Sequence, residues 1–174
     1  MTERILIAGF GGQGVLTVGH VIALLYMNRG HNVTWMPSYG AEMRGGTANC
    51  SVIVSDKVIG SPTVSKNASV IMAMTSPALD KFEAVAAPGG RVIVNTSIIN
   101  RELKRDDVTV LKTDATNVAV ELGSLRVQNM VMLGAYLKNC DFTDGELKQA
   151  LGDRFGQNEK LVELNMAAIK RGRD

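Results

Sequence analysis

Short continuous apolar runs alternate with longer amphipathic stretches along most of the chain. Uninterrupted apolar runs are typical of strands buried on both faces of a parallel sheet, and helical spacing marks the longer stretches. The predicted strands are 4–8, 32–36, 47–55, 58–60, 68–74, 91–95 and 108–111. The predicted helices are 15–28, 76–86, 114–122, 126–139, 143–152 and 159–170.

Turn and capping residues set the predicted boundaries. Gly30 stops the first helix, and Asp56-Lys57 predicts a tight turn from strand 47–55 into a short return strand. Ser76 followed by proline favours a helix start with Ser76 as the cap, and residues 88–90 close that helix. Residues 143–146 form a capping-box pattern.

This order of elements predicts the fold class. We expect one domain over residues 1–174. It is an α/β three-layer sandwich with a mostly parallel sheet, a Rossmann-like start, one β-hairpin and a helical C-terminal third. The length of 174 residues suits a single hydrophobic core.

The first predicted helix, 15–28, is apolar on nearly all sides. Such a helix is usually covered on two faces, of which the sheet supplies one. In a chain of this size we expect the second cover to be a partner subunit, which predicts self-association when other partners are absent.

A glycine-rich turn joins the first strand to the first helix. Gly9, Gly11 and Gly14 satisfy G-x-G-x-x-G, with Gly12 and Gln13 between them. Glycines let the backbone turn sharply and approach a ligand, and a helix start supplies unpaired N–H groups. The turn is therefore a candidate anion site formed by Gly11, Gly12, Gln13 and Gly14.

The end of the second predicted strand bears on which nucleotide could bind there. A dinucleotide fold usually places Asp or Glu at that point to bind the ribose hydroxyls. The sequence has Trp35, Met36 and Pro37 instead, and the nearest acid, Glu42, lies in the following loop. This pattern argues against a tightly bound nicotinamide cofactor.

The loop 37–46 is the second informative stretch. An arginine can clamp a phosphate or carboxylate in a bidentate fork, and a nearby glutamate can hold that arginine or meet a partner. A plain polar connection with a local Glu–Arg pair remains an equal alternative. The candidate residues in this loop are Ser38, Tyr39, Gly40, Glu42, Arg44, Gly45 and Gly46.

Composition removes several classes of function. A net charge of +2 gives no basis for nucleic-acid binding, and the most apolar run is too short to span a bilayer. Cys50 and Cys140 are isolated, which argues against cluster and structural zinc sites and for a reducing cytoplasm. The chain starts directly on a strand, so we expect no signal peptide.

Catalytic groups are also missing from the pattern. The two histidines, His20 within a helix and His31 at a turn, have no sequence context that suggests a general base. No nucleophile elbow, P-loop lysine or H-E-x-x-H is present. We therefore expect no catalytic residue and no metal site, which favours a binding or accessory subunit over a self-sufficient enzyme.

Two motifs together resemble a known family. The turn Gly9–Val15 followed by the segment Pro37–Gly46 resembles the gamma subunit of 2-oxoacid:ferredoxin oxidoreductases. The resemblance extends through Thr75-Ser76-Pro77 and the helix containing Asn129-Met130 and Gly134-Ala135, so it covers essentially the whole chain. The 2-oxoglutarate type is the most similar, and the pyruvate and 2-ketoisovalerate types share both motifs.

The resemblance implies a role in a multi-subunit oxidoreductase that acts on the oxo group of its donors. That enzyme converts a 2-oxoacid, coenzyme A and oxidised ferredoxin into acyl-CoA, carbon dioxide and reduced ferredoxin. Thiamine diphosphate, Mg and iron–sulfur clusters are expected on the alpha, beta and, in some members, delta partner subunits. This chain would bind no cofactor tightly and would be inactive alone.

The resemblance also gives the two loops a role. The Gly11–Gly14 turn and the Ser38–Gly46 loop would admit coenzyme A as a substrate at the entrance of the active site and assist assembly. Three readings stay open for these loops: contact with coenzyme A, docking of the catalytic subunits only, or binding of another nucleotide. The alternative function is a stand-alone nucleotide-binding module or a small NAD(P)-dependent reductase, and the related indolepyruvate oxidoreductase is a third possibility.

Overall fold

A six-stranded sheet forms the middle layer of the computed structural model, which describes residues 1–40, 46–156 and 158–174. The strands are β1 (Thr2–Phe10), β2 (Asn32–Tyr39), β3 (Thr47–Ser55), β4 (Ala68–Ala73), β5 (Ala86–Asn95) and β6 (Thr109–Thr113). The helices are α1 (Val15–Asn28), α2 (Ser76–Phe82), α3 (Ala115–Glu121), α4 (Gln128–Leu137), α5 (Asp144–Phe155) and α6 (Glu159–Arg173).

The strand order is β2-β3-β1-β4-β5-β6. β1, β4, β5 and β6 pair in parallel, whereas β3 runs antiparallel to both of its neighbours, β1 and β2. β1, β4 and β5 contain continuous apolar runs because helices or loops cover both of their faces. The expected mostly parallel sheet is confirmed.

Two hydrophobic clusters lie on opposite faces of the sheet. The larger contains Ile5, Ile7 and apolar residues of α1, α3, α4, α5 and α6. The smaller contains Leu6 and Ile71 with α2 and parts of the connections 56–67 and 96–108. This arrangement is the expected three-layer sandwich, with its helical layer drawn mainly from the C-terminal third. Within the described ranges no helix is long and apolar enough to cross a membrane.

The second face of α1 is covered by the chain itself, which corrects the expectation of a partner subunit there. α1 packs on α5 and α4 as well as on β1, β2 and β3. Arg29, the residue that ends α1, forms an ion pair with Glu146 of α5 at 2.6 Å. The apolar character of α1 therefore no longer gives a reason to expect self-association.

The hairpin prediction was partly wrong. Residues 58–60 form no strand, and Val58 is 92% exposed. β3 is already paired with β1 on one side and β2 on the other, so it has no free edge for a return strand. The antiparallel neighbours in sequence are β2 and β3, whose connection includes residues outside the described ranges.

The segment 88–90, predicted to close a helix, lies inside β5 instead. The register against β4 shifts between Ala68 and Val70, whose partners in β5 are Ala86 and Arg91. Gly89, with φ of 73°, adopts the left-handed conformation that this irregularity needs. A proline and two glycines therefore mark a bulge here rather than a helix end.

Threonine side chains cap the N-termini of α2 and α5. α2 is capped by Thr75 rather than the predicted Ser76, and the Thr75 Oγ1 accepts from the Ala78 N–H at 3.4 Å. The capping box of α5 is confirmed: Glu146 N–H donates to Thr143 Oγ1 at 3.3 Å, and the Glu146 carboxylate accepts from the Thr143 N–H at 2.8 Å.

α4 and α6 cross with their backbones nearly in contact. A Cβ at Gly134 would overlap the Ile169 carbonyl, and a Cβ at Gly172 would overlap the Val131 carbonyl. Because both positions are glycine, α4 and α6 can pack at this close range.

Candidate functional site

The glycine turn lies at the carboxyl end of β1, beside the end of β2. Across the sheet Gly9 pairs with Ala48 of β3, and Ala48 pairs with Tyr39 of β2. Because β3 runs antiparallel to both strands, its start lies between the ends of β1 and β2. The first and second predicted loops therefore begin at the same edge of the sheet.

Backbone and side-chain hydrogen bonds hold the turn in one shape. The Gly11 N–H donates to the Gly46 carbonyl at 2.7 Å, which joins the two loops directly. The Gln13 side chain folds back, and its Oε1 accepts from the Phe10 N–H at 2.7 Å. Gln13 thus braces the turn instead of projecting from it.

Two glycines of the turn have positive φ, 95° at Gly12 and 77° at Gly14. A Cβ at Gly12 would meet open space, whereas a Cβ at Gly14 would overlap the carboxamide of Asn129. Gly14 is also the residue before the first turn of α1. Gly14 is therefore required both for backbone conformation and for the close approach of α4.

An open pocket of about 320 Å³ lies against this turn. Gly11, Gly12 and Gly14 form one wall, the start of α1 forms another, and Tyr39 and Phe10 border it. Tyr39 is 51% exposed, and Phe10 is 36% exposed. The pocket thus combines backbone with exposed aromatic surface.

The electrostatics of the pocket favour an anion. The first turn of α1 contains no acidic side chain, and its leading N–H groups point out of the helix start. A helix N-terminus carries about half a positive charge, which stabilises a phosphate or carboxylate placed there. The backbone therefore supplies the recognition that this pocket can offer.

The parallel neighbours β1 and β4 send their helices to opposite faces of the sheet. β1 leads into α1 on the face of the larger cluster, and β4 leads into α2 on the face of the smaller one. The Met74 N–H donates to the Ala8 carbonyl at 2.9 Å, so the two turns touch. Open α/β sheets bind ligands at such points, and the pocket borders this one on the β1 side.

The antiparallel strand β3 distinguishes the topology around this site from that of a dinucleotide-binding fold. β3 lies between β1 and β2, so the strand that follows the first helix is not the direct neighbour of β1, as the acid-bearing strand of a dinucleotide fold is. The absence of an acid among Trp35, Met36 and Pro37 is consistent with this topology.

The predicted site residues divide into four groups. Gly11, Gly12, Gly14 and Tyr39 line the pocket, while Gln13 and Gly46 hold the turn in place. Ser38 and Gly40 are exposed beside Tyr39, and neither lines the pocket. Glu42, Arg44 and Gly45 lie outside the described residues.

Sequence reasoning missed one contributor, Asn129, which it placed only within the resemblance. Asn129 is 4% exposed, and its Nδ2 donates to the Gly14 carbonyl at 3.2 Å. A polar Gln-Asn pair opening an otherwise apolar helix was the available signal. Its partner is more than a hundred residues away, so periodicity could not identify it.

The histidines and cysteines lie apart from the pocket. His20 stacks on Trp35 with ring centroids 5.0 Å apart, and burial followed by the nearby Arg154 lowers the pKa of His20. Cys50 is fully buried, and burial raises its thiol pKa to about 12, which makes it an inert core residue as expected. Among the described residues, no group of three or more His, Cys, Asp or Glu side chains could hold a metal ion.

The family model for pyruvate ferredoxin/flavodoxin oxidoreductase matches residues 4–174. The chain belongs to this family. The resemblance drawn from the glycine turn and the segment 37–46 is thereby confirmed, and the alternative of a stand-alone nucleotide module or reductase finds no support.

Curated relatives in this oxidoreductase family are of two lengths. The 2-oxoglutarate synthase subunit KorC of Methanocaldococcus jannaschii is 32% identical, and the match covers 99% of this chain and 92% of KorC. The ketoisovalerate oxidoreductase subunit VorA of Methanothermobacter marburgensis is 33% identical over 98% of this chain. The chain spans only 36% of the length of that VorA.

Solved structures of family members share the fold. The gamma subunit of keto/oxoacid ferredoxin oxidoreductase from Geobacter sulfurreducens has a TM-score of 0.82 and 27% identity, with coverage of 98% of this chain and 96% of that one. The 2-oxoglutarate:ferredoxin oxidoreductase of Magnetococcus marinus, with 2-oxoglutarate, coenzyme A and succinyl-CoA bound, has a TM-score of 0.87 and 26% identity. The match covers 99% of this chain and 30% of the Magnetococcus marinus chain.

Proposed function

We propose that the chain is the gamma subunit of a 2-oxoacid:ferredoxin oxidoreductase, with 2-oxoglutarate as the first candidate substrate of the assembled enzyme. The complex would oxidise a 2-oxoacid with coenzyme A to acyl-CoA, carbon dioxide and reduced ferredoxin. Support comes from the family match over residues 4–174 and from the near full-length match to a 2-oxoglutarate synthase subunit. The ketoisovalerate relatives keep branched 2-oxoacids as the second candidate.

Within that complex the chain contributes to coenzyme A access. The observation that carries this role is the pocket at the glycine turn, where the start of α1 faces outward without an acidic side chain and next to Tyr39. Coenzyme A carries phosphates for the N–H groups, and its adenine can stack on an aromatic ring. The Magnetococcus marinus structure that contains coenzyme A supports the same ligand.

The chemistry of the reaction would belong to other subunits. An iron–sulfur cluster needs several thiolates, and the chain has two cysteines, of which Cys50 is buried and Cys140 is partly buried. These residues do not fit a cluster, and the sequence has no Gly-Asp-Gly motif for thiamine diphosphate. The chain is then a non-catalytic subunit, inactive alone and working in the cytoplasm with alpha and beta chains and, where one exists, a delta chain. Ferredoxin would dock on the complex, not on this chain.

Exposed apolar side chains beside the pocket favour a second role, docking of the catalytic subunits. Phe10 and Tyr39 are 36% and 51% exposed at this end of the sheet. Exposed aromatic side chains are enriched at subunit interfaces. The two roles are compatible, because a ligand at a subunit boundary can be held from both sides.

The test is reconstitution with co-expressed alpha and beta subunits. We expect the chain to co-purify with them and to be required for activity with coenzyme A. Arg44→Ala should raise the KM for coenzyme A more than the KM for the 2-oxoacid, since a guanidinium suits phosphate. Lys160→Ala, an exposed cation on α6, is the control. A fully active complex without this chain would refute the proposal, and a shift in the 2-oxoacid KM alone would refute the phosphate role of Arg44.

A further inference from the structure

One buried side chain fixes the glycine turn from a distant part of the chain. Asn129, in the first turn of α4, is 4% exposed. Its Nδ2 donates to the Gly14 carbonyl at 3.2 Å, while its Oδ1 accepts from the Met130 N–H at 2.9 Å. The second bond sets which end of the carboxamide faces Gly14, because a flipped amide would lose both interactions.

The Gly14 carbonyl is the point at which this contact acts. It also accepts from the Val18 N–H at 3.1 Å, which is the first hydrogen bond of α1. Asn129 therefore donates to the carbonyl that both ends the glycine turn and starts the helix. The N–H groups facing the pocket lie immediately after this carbonyl along the chain, so their direction follows its orientation.

The position of Asn129 is itself set by an adjacent network. Asn95, at the end of β5, donates from Nδ2 to Thr116 Oγ1 at 2.9 Å, and the Thr116 hydroxyl donates to Gln128 Oε1 at 3.1 Å. Asn95 is fully buried, and Gln128 is 7% exposed. This chain of bonds holds the start of α4 against the carboxyl ends of the parallel strands, independently of the glycine turn.

We infer that Asn129 is a positioning residue: it holds the Gly14 carbonyl and thereby aims the backbone N–H groups at the start of α1 at an anion in the pocket. Its contact is with the turn and not with the ligand. The role of Asn129 in orienting the turn is inferred from the hydrogen bonds alone. The identity of the anion, a phosphate of coenzyme A, rests on the proposed function.

The first measurement is amide hydrogen exchange on the full chain. Asn129→Asp keeps the shape and the acceptor for Met130 but removes the donor to Gly14. We expect exchange of the Gln13 and Val18 amides to rise about two- to tenfold, the range set by loss of one hydrogen bond. Asn129→Ala, which places no charge there, should give the same result.

The matched control is Asn165→Ala. Asn165 is 3% exposed, and its Nδ2 also donates to a backbone carbonyl, that of Leu161, at 2.7 Å within α6. It should lower overall stability as much as Asn129→Ala while leaving Gln13 and Val18 protected. Unchanged exchange at these two amides in both Asn129 variants, relative to this control, would overturn the positioning role.

The second measurement separates this inference from the proposed function. In the assembled oxidoreductase, both Asn129 variants should raise the KM for coenzyme A about two- to tenfold and leave the KM for the 2-oxoacid unchanged. Faster exchange with an unchanged coenzyme A KM would uphold Asn129 as the positioning residue of the turn and refute coenzyme A as its ligand. Unchanged exchange refutes the positioning role whatever the kinetics show.

Discussion

The polar groups at the two ends of β1 differ in whether they are hydrogen-bonded within the protein or face a pocket. At its carboxyl end the glycine turn exposes the N–H groups of a helix start beside an open pocket. At its amino end Glu3 is surrounded by side chains that meet its hydrogen-bonding needs. Its carboxylate accepts from Tyr26 Oη at 3.1 Å, from Tyr136 Oη at 2.9 Å and from Arg91 Nη2 at 2.7 Å.

Burial strengthens the contrast. The two tyrosine hydroxyls are 2.9 Å apart, and burial is the main cause that raises the pKa of each, so both stay protonated as donors. This Glu3 network ties β1 to α1, α4 and β5. A fully hydrogen-bonded network of side chains stabilises the fold, whereas the leading N–H groups of α1 beside the glycine turn can bind a ligand. Substitutions at the amino end of β1 should therefore change mainly the stability, and substitutions at its carboxyl end should change mainly ligand binding.

The largest effect is expected from Glu3→Ala. Removing the carboxylate leaves the Arg91 charge and two buried hydroxyls without their acceptor, and we expect a loss of about 3 kcal/mol in the free energy of unfolding. Urea titration measures it. The coenzyme A KM of the assembled enzyme should not change.

Glu121→Ala is the control, because its ion pair with Arg171 is exposed and should contribute less than about 1 kcal/mol. Equal losses for Glu3→Ala and Glu121→Ala would contradict a special role for the Glu3 network.

Gly14→Ala should cost about 2 kcal/mol, since the left-handed backbone strain adds to overlap with Asn129. Gly12→Ala, with positive φ but open space around it, should cost about 1 kcal/mol. Thermal unfolding compares the two. If both cost the same, the contact with Asn129 makes no difference to stability.

Tyr39→Ala tests whether a residue of the pocket affects ligand binding without affecting stability. We expect the coenzyme A KM to rise about fivefold through loss of an aromatic contact, and the stability to change by less than about 0.5 kcal/mol because the ring is half exposed. Met36→Ala, on the opposite face of the same strand, is the control. Co-purification with the catalytic subunits should be measured in parallel, since a loss there would favour the docking role.

The smallest effect concerns the pH dependence of stability near the amino end of β1. Arg29 lowers the pKa of Glu146 to about 2 from its ordinary 4.5, so the ion pair stabilises the fold above about pH 4.5 and is lost as the pH falls toward 2. Glu146→Gln should therefore be less stable than the parent at neutral pH, with the difference vanishing near pH 2. Glu163→Gln, exposed on α6, should show no such convergence.

Local signals in the sequence predicted most of the fold. Continuous apolar runs located the central strands, and the capping box at Thr143 located α5. The errors arose where pairing partners decide the outcome. Residues 58–60 have strand-like composition, but β3 has no free edge to receive them, and the glycines at 89 and 90 serve a bulge that depends on register with β4.

The candidate site was predictable to the same extent. The glycine turn and Tyr39 share an edge as expected, because both follow strands whose ends coincide. The roles of Gln13 as a brace and Asn129 as a donor to Gly14 depend on contacts made after folding. The coenzyme A role of the two loops stays a prediction.

The close crossing of α4 and α6 gives the molecule redundancy. Three contacts hold α4 in place: a hydrogen bond of Gln128 at its start, the glycine contact with α6 at its middle, and a hydrogen bond of Tyr136 near its end. Loss of any one contact leaves two others to limit the displacement of the helix. A substitution at the amino end of the sheet should therefore leave the glycine turn at the other end in place.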